Sequence, residues 1–176
     1  FQTTILYTDV RDFPPEREQE LGVIRVSMDE LLQRSDIVTV HVPLSSSTTG
    51  LMGSEQFTAM KRDAIFINTC RGPVHNEIAL AEALKDGKIL GAGLDVTEIE
   101  PTPLDSPLLS MDNVIVTPHG ICWTDECFLG MGRSACGSIL DVAAGRVPQN
   151  VVNRDVLVHP GLQEKLRHYG ASTEAS

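Results

Sequence analysis

The sequence lacks what would suit it to nucleic acid, to a membrane or to a disulfide-built fold. Lys and Arg number only 14 against 24 Asp and Glu, a net charge of −10. The basic residues are scattered, with no cluster to neutralise a phosphate backbone, which argues against nucleic acid as a direct partner. No apolar run approaches the roughly 18 residues of a membrane span, and no charged segment leads into an apolar one as in a secretory signal. The expectation is a cytoplasmic protein with no membrane partner. The four cysteines, Cys70, Cys122, Cys127 and Cys136, contain no C-x-x-C pair and are expected as reduced thiols. Their spacings with His119 match no zinc knuckle or ribbon, so no metal is expected.

Two further absences bear on the fold. The sequence starts at Phe1 without an initiator Met, and QTTILYTD reads as a strand already under way, so a truncated chain is expected. No Gly-rich turn opening a helix is found either. GAG at 91–93 sits inside a strand pattern and does not serve.

What is present is an alternation. With 41% hydrophobic residues over 176 positions, the chain can bury one core, hiding roughly 70% of its unfolded surface. Short apolar runs, ILYT (5–8), VIRV (23–26), IVTVHV (37–42), AIFIN (64–68), ILGAGL (89–94) and VIVT (114–117), alternate with helical patterns. That is the signature of βαβ units and a parallel sheet, an α/β fold. Ser27 and Glu30 have capping-box spacing before one helix, and Asn76 caps another that stops at Gly87. PTPLDSP (101–107) is a loop, because repeated prolines deny both helix and ladder hydrogen bonds. A long helix is expected over about 124–144, ending at Gly145, followed by a frayed polar tail, HYGASTEAS.

In a parallel sheet the residues that follow each strand share one edge, and ligands of open α/β sheets bind there. Asp9, Arg71, Asp95 and His119 are therefore expected along one crevice. Strand ends are polar in any such fold because they meet water, so any one of these residues has an ordinary explanation. An Arg, two acids and a His at neighbouring ends are harder to attribute to solvation alone. An acid where Asp9 stands accepts hydrogen bonds from adenosine ribose hydroxyls and favours NAD over NADP. Arg11, two residues on, keeps NADP open, since a guanidinium there can pair with a 2′-phosphate.

NTCRGPVHNEIALAEAL (68–84), GAGLDVTEIEP (91–101) and VIVTPHG (114–120) stand in an order and spacing that resemble the D-isomer specific 2-hydroxyacid dehydrogenases, relatives of phosphoglycerate, glycerate and formate dehydrogenases. HVPLSSSTTGLM (41–52) and QNVVN (149–153) extend the resemblance over about residues 4–157. It implies a partial Rossmann-type doubly wound parallel sheet, with a long C-terminal helix returning to a substrate domain that is mostly absent. It implies hydride transfer between NAD(H) and C2 of a D-2-hydroxy or 2-keto acid.

Position by position, the resemblance makes Arg71 the anchor of the substrate carboxylate and 2-oxygen, a task suited to a charged, forked guanidinium. His119 becomes the general acid/base, and Glu100 the acid that pairs with it, with Glu98 as the alternative if the loop register differs. A carboxylate beside an imidazole favours its protonated form and fixes its tautomer. Asp95 resembles the acid near the nicotinamide carboxamide, and Val42, Pro43 and Thr69 the segments whose backbone lines the cofactor.

The sequence departs from the family pattern at His75 and Asn76, where an apolar residue and an acid are usual. His75 is expected as a partly exposed residue at the helix start, and Asn76 as a structurally neutral change. Trp123, the single tryptophan, either walls the substrate pocket or anchors the long helix to the core.

The expected domains are 1–119, a partial NAD-binding domain without its first β-α unit and Gly-rich loop; 120–160, the helix and segment toward the substrate domain; and 161–176, a flexible tail. The resemblance also implies a homodimer when full length. Two other readings remain open: an NAD-sensing interaction protein like the C-terminal-binding-protein corepressors, and a truncated pseudoenzyme. Because no Gly-rich turn is present to hold a pyrophosphate, the 176 residues alone are expected neither to turn over nor to bind NADH tightly. A fluorescence titration checks this, and saturation at micromolar NADH overturns it.

Overall fold

The computed structural model describes residues 3–174, with side chains through 171; the first residue of the expected QTTILYTD strand and the last residues of the expected HYGASTEAS tail lie outside them. The chain divides into two compact units, Phe1–Ile121 and Cys122–Ser176.

The first unit runs β1 (Ile5–Tyr7), α1 (Pro15–Leu21), β2 (Val23–Arg25), α2 (Met28–Arg34), β3 (Ile37–Val40), α3 (Ser54–Ala59), β4 (Ile65–Asn68), α4 (Glu77–Lys85), β5 (Gly91–Leu94) and β6 (Val114–Val116). Every strand falls within an apolar run identified from the sequence, and every pairing is parallel. The ladders form two groups, β1-β2 and β3-β4-β5-β6. The expected single edge is corrected here: β1 pairs with β2 alone, so Asp9 ends a strand that no ladder joins to β3. A gap of about 710 Å³ opens between the two groups, lined by Thr3, Ile5 and Leu6 on one side and by Arg34, Ile37 and Thr39 on the other.

Within the four-stranded sheet, β3 alternates buried Val38 and Val40 with exposed Ile37 and Thr39, the period-two pattern of a half-buried strand. Phe66 on β4 is fully buried and meets Phe57 of α3 edge to face, with ring centroids 5.2 Å apart. Leu32, Met52, Leu80, Ile89 and Leu108 complete the densest part of this core.

The helix starts follow side-chain chemistry. Ser27 accepts the Glu30 amide at 3.2 Å, but the Glu30 carboxylate pairs with Arg34 one turn on, so only half of the expected capping box forms. Asn76 accepts the Ala79 amide at 2.8 Å and caps α4, while Gly87 has φ 63° just past its end. The helices α1 and α3 were not anticipated from apolar periodicity, being only 7 and 6 residues long.

The second unit contains α5 (Asp125–Ala143) and α6 (Pro160–Glu174). Thr124 caps α5 through the Cys127 amide at 3.2 Å, as the expected helix boundaries require. The expected frayed tail is instead helical over α6. At Gly145, φ 72°, an added Cβ would lie 2.4 Å from the Leu166 carbonyl oxygen, so glycine alone permits the close backbone approach that α6 makes there. Leu166 is 5% exposed, and this packing is what holds a polar segment in a helix. Trp123 contacts Phe128 at a centroid distance of 6.1 Å yet stays 65% exposed, so it does not anchor α5 by burial. Among the described residues no helix is long and apolar enough to cross a membrane.

Candidate active site

Parallel pairing of β5 with β6 brings Asp95 and the Thr117-Pro118-His119 segment to the same end of the sheet. Asp95 is 4% exposed and its carboxylate accepts from three donors: the Thr117 hydroxyl at 2.6 Å, the Gly120 amide at 3.0 Å and the Ile121 amide at 3.3 Å. These donors flank His119 on both sides. His119 itself has φ 53°, the one non-glycine residue with positive φ among the described residues. A left-handed backbone costs an L-residue on the order of 1 kcal/mol, so this turn persists because its surroundings hold it.

The His119 Nδ1 lies 2.7 Å from Glu100 Oε2. Glu100 Oε1 accepts the Thr97 amide at 3.2 Å, which fixes the carboxylate in its loop. The bond to His119 is the main force holding the Glu100 carboxyl below the ordinary carboxylate range; burial opposes it, and the Thr97 amide and the Arg71 charge assist. For Asp95 burial is the largest single influence and pushes upward, but Thr117, Gly120, Ile121 and the nearby His119 together outweigh it, and the net shift is downward. Asp95, Thr97, Glu100, Thr102, Thr117 and His119 line a cavity of about 380 Å³.

Arg71 follows β4 and is exposed; its Nη1 donates to the Cys70 carbonyl at 2.6 Å, and its charge reaches Glu100. Its turn lies directly on the loop that carries Glu100. A Cβ on Gly72 would sit 1.9 Å from the Thr97 carbonyl oxygen, so no other residue fits there without moving that loop. Two reciprocal bonds reinforce the contact. The Glu77 amide donates to Glu98 at 2.7 Å, and the Glu98 amide donates back to the Glu77 carboxylate. Glu98, the alternative partner for His119, is thus spent on α4, while Glu100 meets the imidazole.

The structure therefore places Arg71, Glu100, Asp95 and His119 in one neighbourhood, whereas Asp9 stands on the separate two-stranded sheet. Asp9 is exposed; its Oδ1 accepts the Arg11 amide at 2.8 Å, which leaves Oδ2 for a ribose hydroxyl. Arg25 beside it donates to the Asp9 carbonyl at 2.9 Å and pairs with Asp12. Asp9 and Asp12 around an already paired Arg25 suit an uncharged ribose, so these acceptors fit NAD, while the Arg11 guanidinium is the group there that could meet a 2′-phosphate. Val42 and Thr69 are half-buried and Pro43 is exposed, directly after β3 and β4.

Sequence reasoning missed Thr97 and Thr117, whose roles depend on which loop oxygen they face, and misjudged His75. The expected partly exposed histidine is 1% exposed, 5.7 Å from the Phe66 ring, and its Nδ1 is 2.9 Å from Asn68 Nδ2. Its place next to the 72–74 turn puts the side chain inward against β4 rather than out to solvent. Desolvation pushes it down to about 4, with Glu98 pulling weakly the other way.

Comparison with known proteins shows the family. Residues 1–120 match the family model described as D-isomer specific 2-hydroxyacid dehydrogenase, NAD binding domain. The chain is 43% identical over 168 residues to a glyoxylate reductase of Korarchaeum cryptofilum, covering 93% of this chain and 49% of that protein. It is 46% identical over 156 residues to a glyoxylate/hydroxypyruvate reductase B of Escherichia coli, covering 89% and 48%. Among solved structures, D-lactate dehydrogenase with NAD+ from Lactobacillus jensenii superposes with a TM-score of 0.78 at 34% identity, covering 86% of this chain and 48% of that one. The chain spans about half the length of the curated relatives it matches.

Two outcomes are expected. Asp95→Asn, which turns an acceptor oxygen into a donor facing other donors, lowers stability by about 1–3 kcal/mol in urea unfolding. The stability of the wild type also falls with acid in two windows. His75 is held below its unfolded value of 6.5, so its contribution is complete above pH 6.5 and is lost as pH drops toward about 4, on the order of 3 kcal/mol. The Asp95 and Glu100 carboxyls are also held down, so theirs is present above the ordinary carboxylate range and is lost below it. Unfolding curves collected from pH 7 to 3 check this, and His75→Val removes the upper window.

Proposed function

The chain belongs to the D-isomer specific 2-hydroxyacid dehydrogenases, matching their NAD binding domain, and from that premise we propose that the full-length protein reduces a small 2-keto acid, such as glyoxylate or hydroxypyruvate, to the D-2-hydroxy acid. The observation that carries the proposal is the 2.7 Å contact of Glu100 with His119 Nδ1, on a turn held by Asp95 and beside Arg71.

With Nδ1 engaged by Glu100, Nε2 is the ring nitrogen left to exchange a proton with the substrate. In reduction the imidazolium gives that proton to the 2-oxygen; in oxidation the neutral ring takes it back. Glu100 stays ionised throughout and offsets the imidazolium charge. Arg71 binds the substrate carboxylate through its fork of N–H donors, which orients C2 and polarises the 2-oxygen. NAD(H), when bound, supplies or accepts the hydride. Asp9 would hold the adenosine ribose, and the segments at Val42, Pro43, Thr69 and Asp95 would line the nicotinamide side.

The assignment of Phe1–Ile121 to the NAD-binding domain belongs to the same proposal, as do the passage of the second unit toward a substrate domain and a homodimer. The open gap lined by the starts of β1 and β3 supports the first of these, since a further strand there would join the two ladders into one sheet.

In the full-length protein, His119→Ala is expected to lower the steady-state reduction of glyoxylate or hydroxypyruvate by about 10²–10⁴-fold, the range of a general acid. Binding of a peptide partner without turnover in the wild type would favour a non-enzymatic NAD sensor instead.

A further inference from the structure

Behind the Arg71 turn lies a buried polar pair that the proton chemistry does not use. Asn68 is 0% exposed and His75 1% exposed. The Asn68 side chain is fully committed. Its Oδ1 accepts the Cys70 amide at 2.9 Å and the Cys70 thiol at 3.1 Å. Its Nδ2 donates one hydrogen to the Arg71 carbonyl at 2.9 Å and faces His75 Nδ1 at 2.9 Å with the other.

This accounting decides the orientation of both groups. The oxygen of Asn68 must face the Cys70 amide, which is always a donor, so the nitrogen faces the imidazole and the imidazole must accept. His75 is then the neutral tautomer that carries its proton on Nε2. That atom is buried without a hydrogen-bond partner among the described residues. An apolar side chain would fill the same space without an orphaned donor. What the imidazole provides is the acceptor that stops the Asn68 amide from turning.

Asn68 in turn fixes two peptide groups, through the Cys70 amide and the Arg71 carbonyl, on either side of the Cys70–Arg71 peptide. The same carbonyl accepts the Val74 amide at 3.2 Å, and the His75 amide closes onto the Gly72 carbonyl at 3.0 Å. The backbone from which the Arg71 guanidinium projects is thus held by a chain of contacts that ends at one imidazole nitrogen.

We propose that His75 is a positioning residue: acting through Asn68, it holds the Arg71 turn in the conformation that presents the guanidinium to a substrate carboxylate. This rests on the assignment of Arg71 as the carboxylate anchor. The charged group that acts on His75 is Glu98, from the loop after β5.

The test uses the full-length protein in four forms: wild type, His75→Leu, which removes the acceptor but keeps apolar bulk, His75→Asn, which retains an acceptor near the Nδ1 position, and Arg71→Gln. With glyoxylate as the probe, His75→Leu is expected to raise KM about tenfold, the equivalent of one lost hydrogen bond, while kcat changes by less than about threefold. His75→Asn is expected to restore KM. A role in stability alone would lower kcat with the folded fraction and leave KM unchanged, and that result overturns the proposal. If Arg71→Gln raises KM but His75→Leu does not, the positioning role falls and the anchor stands. If Arg71→Gln leaves KM unchanged, the anchor falls and the positioning role with it. Should His75→Leu not fold, nitrogen-15 spectra of the wild-type histidines decide: a proton on Nε2 at pH 7 is expected, and a proton on Nδ1 overturns the proposal.

Discussion

A buried carboxylate holds the candidate site together. Asp95 ends β5 beneath the turn that follows β6, and a charge in that position is tolerable only because hydroxyl and amide donors replace the water it has lost. Since those donors come from Thr117 on one side of His119 and from Gly120 and Ile121 on the other, the left-handed residue between them is pinned at both ends. Asp95 thus determines where the imidazole sits. Glu100 determines which of its nitrogens is engaged.

The second constraint is the contact between the Arg71 turn and the Glu100 loop. These segments are separated by more than twenty residues in sequence, yet their backbones touch at Gly72 and Thr97 and are tied by the reciprocal Glu77 and Glu98 bonds. A side chain at Gly72 would force the two apart. Arg71, Glu100 and His119 are therefore parts of one arrangement, in which a guanidinium lies near enough to Glu100 to help keep it ionised. Under the proposed function this is preorganisation, since the groups would meet a substrate already oriented.

Legibility in the sequence followed the range of the interaction. The strands of the larger sheet were visible because a parallel strand is a short apolar run, and the starts of α2 and α4 because Ser27 and Asn76 act on amides three residues away. The helices α1 and α3 were not, being too short for a periodic face to register. Nor was α6, whose order depends on the approach of two backbones at Gly145. The single expected sheet became two because pairing partners are chosen across the fold.

For the site, strand ends singled out Asp9, Arg71, Asp95 and His119 because parallel strands share one edge, and the family resemblance added Glu100 with Glu98 as its alternative. That much belongs to the sequence, read locally and through the family it resembles. Only the tertiary structure decided between Glu98 and Glu100, buried His75 against Phe66, and turned Asp95 toward the His119 turn. Each of those outcomes depends on a distance between segments that are far apart in the chain, and a linear pattern carries no such distance.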